Sequence, residues 1–338
     1  VSATRRQFLE LSLAAPAAPA ATAATTPPAT SAAASNFEPA YLRLERSGEL
    51  AARAQTLWHL YRSCRLCPRQ CGVNRTRGER GVCSSTDRAK VYSFHPHFGE
   101  ERPLVGSRGS GAIFFSNCNL LCVFCQNWQI NHRGDGSFAS HDNLARYMIE
   151  LQQRGCHNIN LVTPTHVLPN IVAALRIAIR RGLRLPLVYN CGGYEPVEVI
   201  RLLDGIIDIY LPDFKYTDPA MAAKYSHGAS DYPQRAAEAI LEMHRQVGDL
   251  ILNPDGVALR GLIIRHLVLP NNIAGTDRFV HFVASRLSPA TYVNIMAQYR
   301  PEYQARTIPE LARRLTAAEY RQALAWAQQA GLTRLDSG

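Results

Sequence analysis

The chain has 338 residues, 46% of them hydrophobic and 19% charged, which is enough apolar material for one large core and too much for a disordered chain. No run of 18 or more strongly apolar residues is present, which excludes a membrane-spanning helix. The formal charge is +10, but all of the 37 basic residues except Lys90, Lys215 and Lys224 are Arg, scattered and not interleaved with aromatics, which argues against a nucleic-acid surface.

Residues 1–35 differ from the rest. Arg5-Arg6 precedes Phe8 and Leu9, a weakly apolar Ala-rich stretch follows, and Ala, Thr, Pro and Ser close the segment. This is the layout of a Tat-type signal, with a low-complexity tail as the other reading. Either way the segment is set aside from the fold. Export or membrane tethering after cytoplasmic folding is the expectation from a signal, and cytoplasmic residence from a tail.

The periodicity predicts a helix over 39–61, then a loop over 63–84 rich in Cys, Gly and Arg and too poor in aliphatics for its own core. A Gly-Ser segment at 106–111 leads into a strand at 112–115. Helices at 140–154, 169–181, 195–204, 233–247 and 276–287 then alternate with strands at 159–162, 185–189, 206–211, 262–269 and 292–296, and a last helix spans 308–330. Six short, continuously apolar strands alternating with helices predict an α/β fold with a parallel sheet buried on both faces. Six units in place of eight point to an open partial (β/α)6 barrel, whose chemistry sits at the strand C-terminal ends. The expected organisation is 1–35 signal or tail, 36–105 helix plus a Cys-rich metal-binding extension, 106–300 barrel and 301–338 a helical segment.

Seven of the nine Cys fall in two groups: Cys64, Cys67, Cys71 and Cys83, then Cys118, Cys122 and Cys125. Such short gaps are a metal-ligand pattern, because disulfides across them would close strained rings. Cys118, Cys122 and Cys125 follow the first strand with gaps of three and two. Three thiolates can hold three irons of a [4Fe-4S] cubane and leave the fourth open to a small molecule. Zinc completed from elsewhere, or structural thiols, are the alternatives. With an aromatic, Phe124, just before the third Cys, the segment resembles the radical S-adenosylmethionine (SAM) superfamily. Residues 109–116, Gln126-Asn127, 163–166, Tyr189-Asn190, 208–215, 264–270 and 294–296 look like its subgroup of pyruvate formate-lyase-activating-enzyme-like proteins, so the resemblance spans about 60–300.

That resemblance implies a [4Fe-4S] cluster on Cys118, Cys122 and Cys125, with SAM on the open iron and Phe124 near the adenine. It implies one-electron cleavage of SAM, fed by an external donor such as a flavodoxin or ferredoxin, and hydrogen abstraction from a substrate, in activating enzymes a glycine of a partner protein. Asn127, Thr163, His166, Asn190, Asp213, Lys215 and Arg265 are the expected cofactor-binding positions. The Gly-Gly-Glu often found after the second strand is replaced here by Thr163-Pro164-Thr165-His166, so the location carries over and the ligand does not. Asp213 and Lys215 alternate along a strand and can both face the interior, where opposite charges need each other or a zwitterion. Of Arg265-His266, Arg265 is expected to point inward. Asn190 also reads as a turn cap, and His166 as a surface residue. Cys64, Cys67, Cys71 and Cys83 fit zinc or a closed iron–sulfur cluster, as structural staple or redox relay. A non-catalytic iron–sulfur carrier or assembly protein is the other reading of the whole chain.

Overall fold

In the computed structural model, which describes residues 37–336, the main strands are β1 Lys90–His97, β2 Ser110–Phe115, β3 Ile159–Val162, β4 Leu187–Cys191, β5 Ile209–Pro212, β6 Ala258–Leu267, β7 Tyr292–Met296 and β8 Leu335–Asp336, with two-residue strands Ser137–Phe138 and Ile251–Leu252 antiparallel to β1 and β6. From β2 to β8 every strand pairs in parallel with the next in chain order. Parallel neighbours require a crossover, and most crossovers here carry a helix. His141–Gln153 joins β2 to β3, Leu168–Arg180 joins β3 to β4, and Val197–Leu202 joins β4 to β5. Pro219–Tyr225 and Tyr232–Val247 lie between β5 and β6, and Thr276–Arg286 between β6 and β7. The first of these helices starts where expected because Ser140 caps it, its Oγ accepting the Asn143 N–H at 3.1 Å.

Alternation along the strands sorts the two faces. Ile159, Leu161, Leu187, Tyr189, Leu262, Ile264, Val293 and Ile295 pack into the main core with the helices. Val188, Ile209, Leu211 and Ile263 join Leu104 in a separate apolar cluster on the other face. Two residues further along this second face stand Asn190, Asp213 and Arg265. A polar layer therefore lies directly above an apolar floor.

Four expectations change. The helix over 39–61 is two helices, Tyr41–Arg46 and Glu49–His59, because Gly48 between them is left-handed at φ 79°. The strand β1, antiparallel to β2, was not anticipated, since Pro96 and two His hide its alternation. The helix over 308–330 shrinks to Ala317–Gln329, started by a capping box between Thr316 and Glu319. The 301–338 segment is not purely helical, because β8 extends the sheet beside β7. The expected signal or tail at 1–35 lies outside the described residues.

Candidate active site at the strand ends

The loop after β2 makes sharp turns. Asn117 and Leu121 are both left-handed, at φ 77° and 53°, the second an unfavourable conformation for a Leu. The loop is held from outside: Val123 N–H donates to Tyr225 O, Ala305 N–H donates to Val123 O, and Asn119 Nδ2 donates to Tyr194 O. So pinned, Cys118, Cys122 and Cys125 all line one cavity of about 250 Å3. Each sulfur has a polar neighbour: Leu120 N–H donates to Cys118, Asn131 Nδ2 donates to Cys125 at 3.2 Å, and Ser226 Oγ lies 3.0 Å from Cys122. Burial, and then the neighbouring thiols, push Cys118 up to about 12 and Cys125 to about 11. Unliganded, the three are neutral thiols that must shed protons to bind metal.

Among the described residues, no three His, Cys, Asp or Glu side chains are drawn together tightly enough to hold a metal ion. Ligands of a cubane bind different irons and need not converge on one point. Three thiols facing one cavity fit that donor set.

The same cavity is lined by Phe124, Asn127, Thr163, Asn190, Asp213, Lys215 and Arg265, so the strand-end positions picked from sequence come together. Lys215 Nζ lies 2.6 Å from Asp213 Oδ2, and Arg265 Nε donates to Asp213 Oδ1 at 2.8 Å. Burial alone would raise the Asp213 carboxyl, but Arg265 and Lys215 hold it below the ordinary value. Arg265 also donates to Asn190 Oδ1 at 2.6 Å and to Glu100 Oε2 at 3.1 Å. Its neighbour His266 points the other way, stacked on Phe279 at 4.2 Å and bonded to Phe214 O and Thr276 Oγ1. Strand alternation thus decides between the two as expected. Thr163, just past β3, sits at φ 59°, a strained setting for a β-branched residue, with its N–H donating to Asn190 O.

Asn190 bonds to side chains across the sheet, which goes beyond a turn cap. Phe124 is 5% exposed and packs edge-on against Tyr216 and Tyr299. His166 is the one predicted residue that does not reach the cavity. It is buried, with Nε2 2.7 Å from Ser116 O, and burial followed by nearby Arg75 pushes it down to about 3. It is a neutral ring inside the protein and not a surface residue.

Three contributors escaped sequence reasoning. Glu100 lies just before a short helix, Arg102–Val105, that was not anticipated, and carries no motif. Its Oε1 accepts from Asn160 and Asn190. Tyr232, on a distant helix, accepts the Lys215 N–H and lies 2.9 and 3.0 Å from the carbonyls of Gly192 and Asp213. Gly193, at φ 77°, lets these strand ends meet, since a Cβ there would lie 2.2 Å from Asp213 O. The Gly192-Gly193 pair was the available signal.

In the first Cys group, Cys64, Cys67 and Cys83 are buried and Cys71 half-buried. A Cβ on Gly81 would lie 2.6 Å from Cys71 Sγ, so this glycine is needed for close approach. Arg75, 1% exposed, has no carboxylate partner among the described residues, and its Nη2 lies 2.9 Å from Cys83 Sγ. Arg69, between Cys67 and Cys71, donates to the carbonyls of Asn119 and Ser226 and so ties this loop to the second group's loop.

Against this geometry, the family model described as the Radical SAM superfamily matches residues 112–257, from β2 to the turn before β6. The chain belongs to the radical SAM superfamily. Membership implies a [4Fe-4S] cluster and SAM as cofactors, and makes this chain an enzyme. A relative in Methanocaldococcus jannaschii, the uncharacterized protein MJ0674, is 32% identical over 307 residues, which span 88% of this chain and 83% of the relative. Among solved structures, TYW1 with a lysine-pyruvate adduct bound aligns with 60% of this chain and 71% of its own at 10% identity and a TM-score of 0.37, a likeness too loose to bear on this radical SAM protein's fold.

Proposed function

We propose that this chain is a radical SAM enzyme of the activating-enzyme-like kind, built on an open partial barrel, that abstracts hydrogen from a substrate such as a glycine of a partner protein. The observation that carries it is one cavity lined both by Cys118, Cys122 and Cys125 and by Asp213, Lys215 and Arg265. A non-catalytic iron–sulfur carrier has no use for the second set. When bound, the cluster and SAM supply the one-electron chemistry and the 5′-deoxyadenosyl radical.

The protein's residues do the rest. Cys118, Cys122 and Cys125 give up their protons and serve as ligands. Lys215 and Arg265 offer cations and Asp213 an anion, matching the carboxylate and ammonium of an amino acid. These groups are already ordered by one another, so a zwitterionic ligand exchanges partners without leaving a buried charge alone. Phe124, Val162, Leu267 and Met296 line the cavity with apolar surface and limit water around a reactive species.

The Cys64 group belongs to the proposal as a second metal centre, zinc or iron–sulfur. Arg75 supports it, since a buried guanidinium without a carboxylate is balanced by the negative charge of metal-bound thiolates. A flavodoxin- or ferredoxin-like protein is the proposed electron donor. The test is anaerobic reconstitution with iron and sulfide, then SAM and dithionite, with chromatographic detection of 5′-deoxyadenosine. A reconstituted protein that holds a cluster but forms none refutes the activity.

A further inference from the structure

Next to the first cavity lies a second, of about 470 Å3, which shares Arg265, Met296 and Gln298 with it. Its inner wall is Glu100, Glu101 and Asn294, and exposed Arg102, half-buried Tyr320 and buried Asp336 complete the lining. Asp336 accepts from Tyr292. Glu101 is 4% exposed; its Oε1 accepts from Asn294 Nδ2 at 2.9 Å, while its Oε2 is buried and has no partner. A buried carboxylate oxygen left so is costly unless something donates to it. A second acceptor, Asn160 Oδ1, is also buried and unpartnered, on the side chain that donates to Glu100. Asn160 lines neither cavity, so it is the Glu101 gap, in the wall of the second one, that calls for a donor there.

Charge points the same way. Asp213 is matched by Lys215, and Arg265 is shared between Asp213 and Glu100. Glu101 has no ion-pair partner among the described residues, so Asp213, Glu100 and Glu101 together face only two cations, Lys215 and Arg265. Burial pushes the Glu101 carboxyl up, and the pull of nearby Arg265 does not offset it.

We propose that this second cavity is a substrate subsite for a protonated amine, seated against Glu101, with the carbon skeleton extending past Met296 and Gln298 into the first cavity. It rests on the radical-enzyme reading for the chemistry, but not for the binding. A carboxylate-bearing group is disfavoured there, since it would face Glu100 and Glu101 with only Arg265 and the exposed Arg102 in reach.

The test uses the full chain, reconstituted anaerobically with its cluster and SAM, and three probes of equal length: n-butylammonium, n-butanol and n-butyrate. Ligand-observed NMR titration gives each dissociation constant. The expected order is ammonium tightest, at least ten-fold tighter than butyrate, with Glu101→Gln losing at least ten-fold for the ammonium and leaving butanol unchanged. Equal binding of ammonium and butyrate overturns the subsite, as does a folded Glu101→Gln that keeps ammonium affinity. If that variant does not fold, the comparison on the wild-type protein still decides. 5′-Deoxyadenosine is assayed on the same samples. Amine selectivity without SAM cleavage refutes the proposed activity and leaves the subsite, whereas cleavage without amine selectivity refutes the subsite alone.

Discussion

Replacing Arg265 by Leu probes the polar layer most directly. The guanidinium is 17% exposed and bonds to two carboxylates, Asp213 and Glu100, whose side chains are 16% and 7% exposed. Lys215 still faces Asp213 after the change, so Glu100 is the group left without a cation. Removing one partner of such a buried pair costs about 3–5 kcal/mol, because the remaining charge stays desolvated. Unfolding entropy scales at about 2.1 cal/mol/K per residue, so for some 300 ordered residues this becomes a fall in melting temperature of about 5–8 °C. Calorimetry of the reduced, metal-free protein at pH 7.5, wild type and variant at one scan rate, measures it. The double variant Arg265→Leu/Glu100→Gln should recover part of the loss, since the stranded charge is gone. A fall below about 2 °C, or a double variant less stable than the single one, would refute this account of the layer.

Three further outcomes follow from the same geometry. Cys118→Ala, Cys122→Ala or Cys125→Ala should each abolish SAM cleavage while metal at the proposed Cys64 site stays, as measured by anaerobic metal and sulfide analysis beside 5′-deoxyadenosine. Full cleavage by any of them would contradict the ligand assignment. Asp208 is fully buried, and burial pushes it up to about 7 despite N–H bonds from Ala40 and Leu187. The folded protein then binds more protons than the unfolded chain, whose Asp titrates near the ordinary value of 3.8, so Asp208 contributes fully below that value and less as pH rises to about 7. In urea titrations from pH 4 to 8, the stability advantage of wild type over Asp208→Asn should shrink up to about pH 7 and level off; an advantage that grows with pH would show that the two N–H donors outweigh burial. Removing residues 1–35 should leave folding and SAM cleavage intact, and in cell fractionation Arg5→Lys/Arg6→Lys should retain in the cytosol a chain that is otherwise exported. Both forms found only in the cytosol at full length would make the segment a tail.

The sequence by itself determined what depends on neighbours along the chain. The spacing of Cys118, Cys122 and Cys125 marked a metal-ligand loop, because ligand gaps on one loop are local, and the family resemblance supplied the iron–sulfur cluster. The runs at 159–162 and 292–296 became strands with the bounds expected, the first because burial on both faces leaves a short continuous signature, the second with burial alternating along it. Alternation also placed Asp213 and Lys215 in one cavity and turned Arg265 in and His266 out. Tertiary structure decided what depends on partners far away in sequence. Whether His166 reached the cavity was fixed by Ser116 and Arg75, 50 and 91 residues away, which hold it inside the protein. Glu100 and Glu101 entered the polar layer only because β1, which composition hides, delivers the chain back beneath the strands to meet Asn160, Arg265 and Asn294. A carboxylate's meaning lies in the cation that it finds or lacks, and that counterpart is set by packing across the sheet, which no local pattern encodes.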